Sequence, residues 1–133
     1  MVCDIDGTLA LIGDRNPYDW RNSKEDLLNS PVAVVLHGLH ATGLAVVYVS
    51  GRPEEARPIT QRWLDLRVGI WGELHLRADG DGRRDAIVKR EIYETAIRPR
   101  FDVQLVLDDR SQVVEMWRSD LHLPCFQVAA GDF

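Results

Sequence analysis

Ser30 to Ser50 reads SPVAVVLHGLHATGLAVVYVS, a helix pattern that passes directly into a strand pattern. Ser30 is a capping residue type and Pro31 suits the first helical turn. Val32, Val35, Leu36 and Leu39 then recur at helical spacing until Gly43 stops the run. Leu44 to Ser50 is a short apolar stretch of strand length. Helix followed at once by strand is half of a crossover unit, and the same alternation continues downstream. A helix is predicted over 58–66 with Ile59, Trp63 and Leu66 inward, then a short strand in ELHLR (73–77) and a turn in ADGDGR (78–83). Val88, Ile92 and Ala96 give a helix over 85–97, ended by Pro99. VQLVL (103–107) reads as a buried strand, Val113, Val114 and Trp117 as one face of a helix over 111–121, and CFQVA (125–129) as a last strand. Strands that alternate with helices predict an α/β fold, a Rossmann-like three-layer sandwich with a mainly parallel sheet.

The chain has 133 residues, 45% of them apolar and 28% charged, which suits one folded domain over 1–133 and excludes a disordered chain. No apolar run approaches bilayer length and no signal-peptide pattern opens the chain, so a cytoplasmic protein without a membrane partner is expected. Cys3 and Cys125 sit in apolar contexts at opposite ends of the chain, which predicts buried thiols rather than a disulfide. The net charge of −5 argues against a general nucleic-acid coat but leaves a nucleic-acid enzyme open.

In parallel sheets ligands bind beyond the carboxyl ends of the strands. Asp4 ends the first apolar run, Ser50 the second, and Asp108 with Asp109 ends VQLVL, so three distant segments deliver polar groups to one edge. Asp4 and Asp6, two residues apart in MVCDIDGTLA, would repel unless a cation or a phosphoryl-handling site offset them. Together with Arg52 and Lys89 they form a set of hard oxygen donors and phosphate-binding groups, without a histidine or cysteine cluster. That mixture points to Mg²⁺ rather than zinc.

DIDGT (4–8), VVYVSGR (46–52), the lysine of DAIVKRE (85–91) and VLDDR (106–110) resemble, in order, the four motifs of the haloacid dehalogenase superfamily of phosphatases. NPYDW (16–20), the stretch 101–118 and the terminal VAAGDF are similar to the 3′-phosphatase domain of bacteriophage polynucleotide kinase-phosphatases. The resemblance implies a haloacid dehalogenase fold, and no segment between Asp6 and Ser50 or between Ser50 and Lys89 is long enough for a large cap domain. It implies Asp4 as nucleophile, Asp6 as general acid and base, and Ser50 and Lys89 as holders of the phosphoryl group. It further implies Thr8, Arg15, Arg52 and Asp85 on the substrate side, with Asp85 orienting Lys89. Asp4, Asp6, Asp108 and Asp109 would form the metal set, Asp109 directly and Asp108 partly through water. Nucleic-acid 3′ ends are the implied substrate, with a fused or separate kinase or ligase as a possible companion. The chain itself holds no GxxxxGK[ST] phosphate loop, so no ATP site is expected.

Other readings weaken on inspection. A receiver-like phospho-acceptor needs an isolated mid-chain aspartate, and Asp65 falls inside a helical pattern. A nucleotidase would use the same catalytic set. The DGDG at 79–82 lacks the acidic twelfth residue of a calcium loop, since Arg90 stands there. His37 and His40 read as surface and boundary residues. Among the tryptophans only Trp20 is placed to approach a substrate, and Arg15, Arg52 and Arg83 or Arg84 are the expected polymer contacts.

Overall fold

A computed structural model describes residues 1–133. Its elements run β1 (Val2–Cys3), β2 (Ala10–Leu11), β3 (Leu27–Leu28), α1 (Ser30–Ala41), β4 (Val46–Pro53), α2 (Arg57–Trp63), β5 (Gly72–Arg77), α3 (Asp85–Ile92), β6 (Val106–Asp108), α4 (Ser111–Glu115) and β7 (Cys125–Gln127). The main sheet is wholly parallel in the order β5-β4-β1-β6-β7, while β2 and β3 form a separate antiparallel pair. α2, α3 and α4 each continue into one wide turn, Leu64–Val68, Tyr93–Ile97 and Met116–Asp120.

The period-2 alternation of the strands builds two cores. Cys3, Val46, Tyr48, Leu105 and Leu107 point to one face, where Leu36 of α1 and Trp63 of α2 cover them. Val2, Val47, Val49 and Val106 point to the other, against Tyr93 and Ile97 beyond α3 and Val113, Val114 and Trp117 of the α4 segment. Helices on both faces make the expected α/β/α sandwich, and each fully buried aliphatic side chain contributes about 1.5–3 kcal/mol. Both cysteines are buried free thiols. No helix is long and apolar enough to cross a membrane.

Several local expectations shift. Asn29, not Ser30, precedes α1, and its side-chain amide donates to the Thr8 carbonyl at 2.9 Å, tying the helix to the first loop. Val35 is exposed because the buried stripe of α1 is Val32, Ala33 and Leu36. In the second helix Thr60, Trp63, Leu64 and Val68 face inward and Leu66 is 72% exposed, since the i, i+3, i+4, i+8 set lies on the side opposite Leu66. The β2–β3 pair was not legible: two-residue strands carry no readable alternation. It closes the segment between Asp6 and α1 into a compact flap containing the 3₁₀ turn Trp20–Glu25. β4 also runs past Ser50 to Pro53, with an irregularity between those two residues.

β1 is the centre of the sheet, and the chain leaves it toward β4 and later toward β6. The carboxyl ends of β4, β1 and β6 therefore meet at a topological switch point. The inward stripe of the second helix predicts that Leu64→Ala costs about 2–5 kcal/mol. Leu66→Ala should stay within about 0.5 kcal/mol of wild type. Urea denaturation of both variants checks this; equal costs would mean the helix packs on another face.

Candidate active site

Asp4 follows β1 directly, and its backbone N–H donates to the Leu107 carbonyl of β6. Asp108 ends β6, Asp109 follows it, and Lys89 reaches in from α3. The three aspartates can place carboxylate oxygens within 4.8 Å of one another, in a buried cluster. Lys89 is 1% exposed and donates to Asp4 Oδ1 at 2.7 Å and Asp108 Oδ2 at 2.9 Å. Burial alone would lower the Lys89 ammonium, but the facing carboxylates of Asp108, Asp4 and Asp85 outweigh it and hold its pKa well above the usual lysine range. Burial pushes Asp4 far above an ordinary carboxylate despite Lys89, and burial with the Asp108 charge raises Asp109. With all three carboxylates ionised, the single Lys89 cation leaves the cluster two positive charges short. Oxygen donors with a deficit of two fit a hard divalent ion such as magnesium.

Gly7 makes this approach possible. Its φ is +83°, and a Cβ there would collide with the Asp109 carboxylate. Thr8 folds back so that its hydroxyl donates to Asp4 Oδ2 at 2.9 Å, with Asp109 Oδ1 3.4 Å away.

Asp6, only two residues from Asp4, lies in a different electrostatic setting. Arg52 grips it with both arms of the guanidinium, Nε to Oδ2 at 2.8 Å and Nη2 to Oδ1 at 2.6 Å. Arg15 adds Nη2 to Oδ1 at 3.2 Å and itself forms a paired contact with Asp26 at 2.8 and 2.7 Å. Asp26 is 5% exposed and also lies 3.4 Å from Arg52. Two arginines against two aspartates leave this group balanced. The Ser23 and Thr60 hydroxyls accept the remaining Arg52 bonds at 3.1 and 3.0 Å.

The model of the polynucleotide kinase PNKP phosphatase domain family matches residues 1–133. The chain belongs to that family. An Autographa californica nuclear polyhedrosis virus protein named "Putative bifunctional polynucleotide kinase/RNA ligase" is 30% identical over 127 residues, 93% of this chain and 18% of the viral one. Two solved structures, described as "Structure of Pnkp1/Rnl/Hen1 complex" and "Structure of the Pnkp1/Rnl/Hen1 RNA repair complex", superpose with TM-scores of 0.94 and 0.95 at 44% identity. Each covers 99% of this chain, which spans 46% and 42% of theirs. The phosphatase domain thus makes up less than half the length of the relatives it matches.

Asp4, Ser50, Lys89, Asp85 and Asp109 of this phosphatase domain line one open cleft of about 720 Å³. The other expected site residues make the following contacts. The Asp6 carboxylate stands outside the acidic trio of Asp4, Asp108 and Asp109, and its oxygens accept from Arg52 and Arg15. Arg15 and Arg52 direct guanidinium donors to Asp6 and Asp26, and Arg52 also lines the cleft. Thr8 is wholly buried and fixes Asp4 instead of lining the cleft. Asp85 receives Arg77 at 3.1 Å and lies 3.7 Å from Lys89, which suits orientation of the lysine. His37 and His40 each bond a backbone carbonyl and share nothing. Asp65 is exposed and meets only Gln61. Trp20 does line the cleft, as do Tyr18, Arg77 and Arg110, which the sequence reading passed over. Asp26 was missed as well, because in the polar run NSKED nothing marks one carboxylate as buried.

The ion cluster yields a pH-dependent prediction. Lys89→Met should cost about 3–5 kcal/mol of stability near neutral pH by leaving buried carboxylates unopposed. Since burial raises Asp4 and Asp109, their destabilising charge is present above their folded pKa values and relieved by protonation as pH falls. The cost of Lys89→Met should therefore shrink in mildly acid buffer. In wild type the raised Lys89 pKa keeps its contribution constant across that range, so the change belongs to the carboxylates. Denaturation of both proteins across pH checks it; a cost that does not vary would contradict the cluster's charge state.

Proposed function

We propose that this chain is a magnesium-dependent polynucleotide 3′-phosphatase in nucleic-acid end repair, with residues 1–133 forming one phosphatase unit. The observation that carries the reading is the division of charge between Asp4 and Asp6 within a chain of this family. Asp4 lies with Lys89 in a cluster short of two positive charges, whereas Asp6 is held by two arginines in a balanced group. A divalent ion filling that deficit would keep Asp4 ionised, as a nucleophile must be. The viral relative's name and the RNA repair complexes among the structural relatives support a nucleic-acid substrate and a kinase or ligase as companion.

In the proposed reaction an Asp4 carboxylate oxygen attacks phosphorus, and the bond from phosphorus to the 3′ sugar oxygen breaks. Asp6 donates a proton to that leaving oxygen. Oδ2 is the atom suited to carry it, since Oδ1 accepts from both arginines and Oδ2 from Arg52 alone. Asp6 then takes a proton from the water that attacks the aspartyl-phosphate, and cleavage of its acyl-oxygen-to-phosphorus bond frees Asp4 and inorganic phosphate. Lys89 spends two of its three N–H bonds on Asp4 and Asp108, leaving the third for a phosphoryl oxygen, and Ser50 supplies a hydroxyl beside it.

Asp4 and Asp109 would hold the magnesium ion directly and Asp108 through water, and the ion when bound neutralises charge on the phosphoryl oxygens. The hydrogen bonds support this order. Asp108 Oδ1 accepts from the N–H groups of Asp109 and Arg110, and its Oδ2 from Lys89 and Trp117, which disfavours direct coordination and leaves only the long 3.3 Å Arg110 contact for a metal-bound water to replace. Asp109 accepts no bond shorter than the 3.4 Å approach of Thr8 and faces the cleft.

Incubation with 3′-phosphorylated oligonucleotide, 5′-phosphorylated oligonucleotide and sugar phosphates tests the reading. Phosphate should be released from the 3′ end alone, and chelator should abolish release. Preference for sugar phosphates would overturn the substrate, and full activity in chelator would overturn the metal.

A further inference from the structure

The cleft is too large for a phosphate alone, and its basic lining is mostly spent within the protein. Arg52 is committed to Asp6 and Asp26, Arg77 to Asp85, and Arg83 to Asp81 and Glu91. Arg110 bonds the Phe133 carbonyl, lies over its ring and sits 3.8 Å from Asp85. Lys89 is buried between carboxylates. Arg84 is the exception: it is exposed, lines the cleft and forms no ion pair. The same cleft includes Tyr18, 85% exposed, and Trp20, whose ring carries the Arg21 guanidinium 4.4 Å from its centroid. The exposed Tyr18 and the half-buried Trp20 beside a phosphate site are natural platforms for a nucleobase.

We propose that the cleft is built for a single nucleoside flanked by two phosphates: the 3′-phosphate at Asp4, the base against Tyr18 and Trp20, and the 5′-phosphate on Arg84. This inference rests on the 3′-phosphatase reading and adds the unit of substrate that the site recognises. Arg84 is the one unpaired cation among the residues that line the cleft, which fits one further phosphate, so recognition ends at the terminal nucleotide. Chains of any length and sequence then look alike to the site.

The test compares kcat/KM for phosphate release from a nucleoside 3′-phosphate, the corresponding nucleoside 3′,5′-bisphosphate, and 3′-phosphorylated di- and dodecanucleotides. Wild type should gain on the order of tenfold from the 5′-phosphate, the scale of one charge-assisted contact, and little from further length. Arg84→Ala should bring the mononucleotide and bisphosphate values together. A gain that survives in Arg84→Ala, or one that keeps growing with length, would overturn the inference while leaving the 3′-phosphatase reading intact. Absence of phosphate release from every 3′-phosphorylated substrate in wild type would overturn both.

Discussion

Lys89 places its ammonium 2.7 Å from Asp4 and 2.9 Å from Asp108 with almost no access to water, and the carboxyl edge of the sheet is organised around that contact. An isolated charge buried this deeply would be costly, and so would three carboxylates without a cation. Neither is tolerable alone, so β1, β6 and α3 must arrive together for any of them to be satisfied. Trp117, the largest fully buried side chain, donates its indole N–H to the same Asp108 oxygen at 3.2 Å. The packing of the α4 segment and the ion cluster thus share an atom.

The second consequence is a separation of two neighbouring carboxylates. Asp4 and Asp6 are two residues apart, yet the Lys89 cluster holds one and the Arg15–Asp26–Arg52 group holds the other. Ile5, fully buried between them, anchors the turn by accepting the backbone N–H groups of Thr8, Leu9 and Ala10. The charge deficit on the Asp4 side and the balance on the Asp6 side follow from which helices and loops supply the cations. α3 brings a single lysine, while the flap and β4 bring two arginines.

Much of the fold could be read from the sequence because its parallel strands are short apolar runs and its helices carry clear starts and stops. The arrival of Asp4, Ser50, Asp108 and Asp109 at one edge follows from strand ends alone. The β2–β3 pair was out of reach, as was the burial of Asp26, because both depend on contacts between segments with no internal periodicity. Arg15 and Arg52 show the other limit. Residue type suggested phosphate contacts, and only the folded chain reveals that their donors also serve Asp6 and Asp26. Arg83 and Arg84, adjacent and chemically identical, differ in the same way: Asp81 and Glu91 neutralise the first and nothing neutralises the second.

The most direct test of the proposed division of labour is where phosphate goes before it is released. Acid quench of the magnesium-loaded protein within the first turnover of a 3′-phosphorylated dinucleotide, followed by peptide mapping, locates any phosphoryl adduct. Nucleophilic attack by Asp4 predicts an adduct on that residue alone, absent from Asp4→Asn. An adduct on Asp6 or Asp109, or phosphate release from folded Asp4→Asn at an appreciable rate, would contradict it.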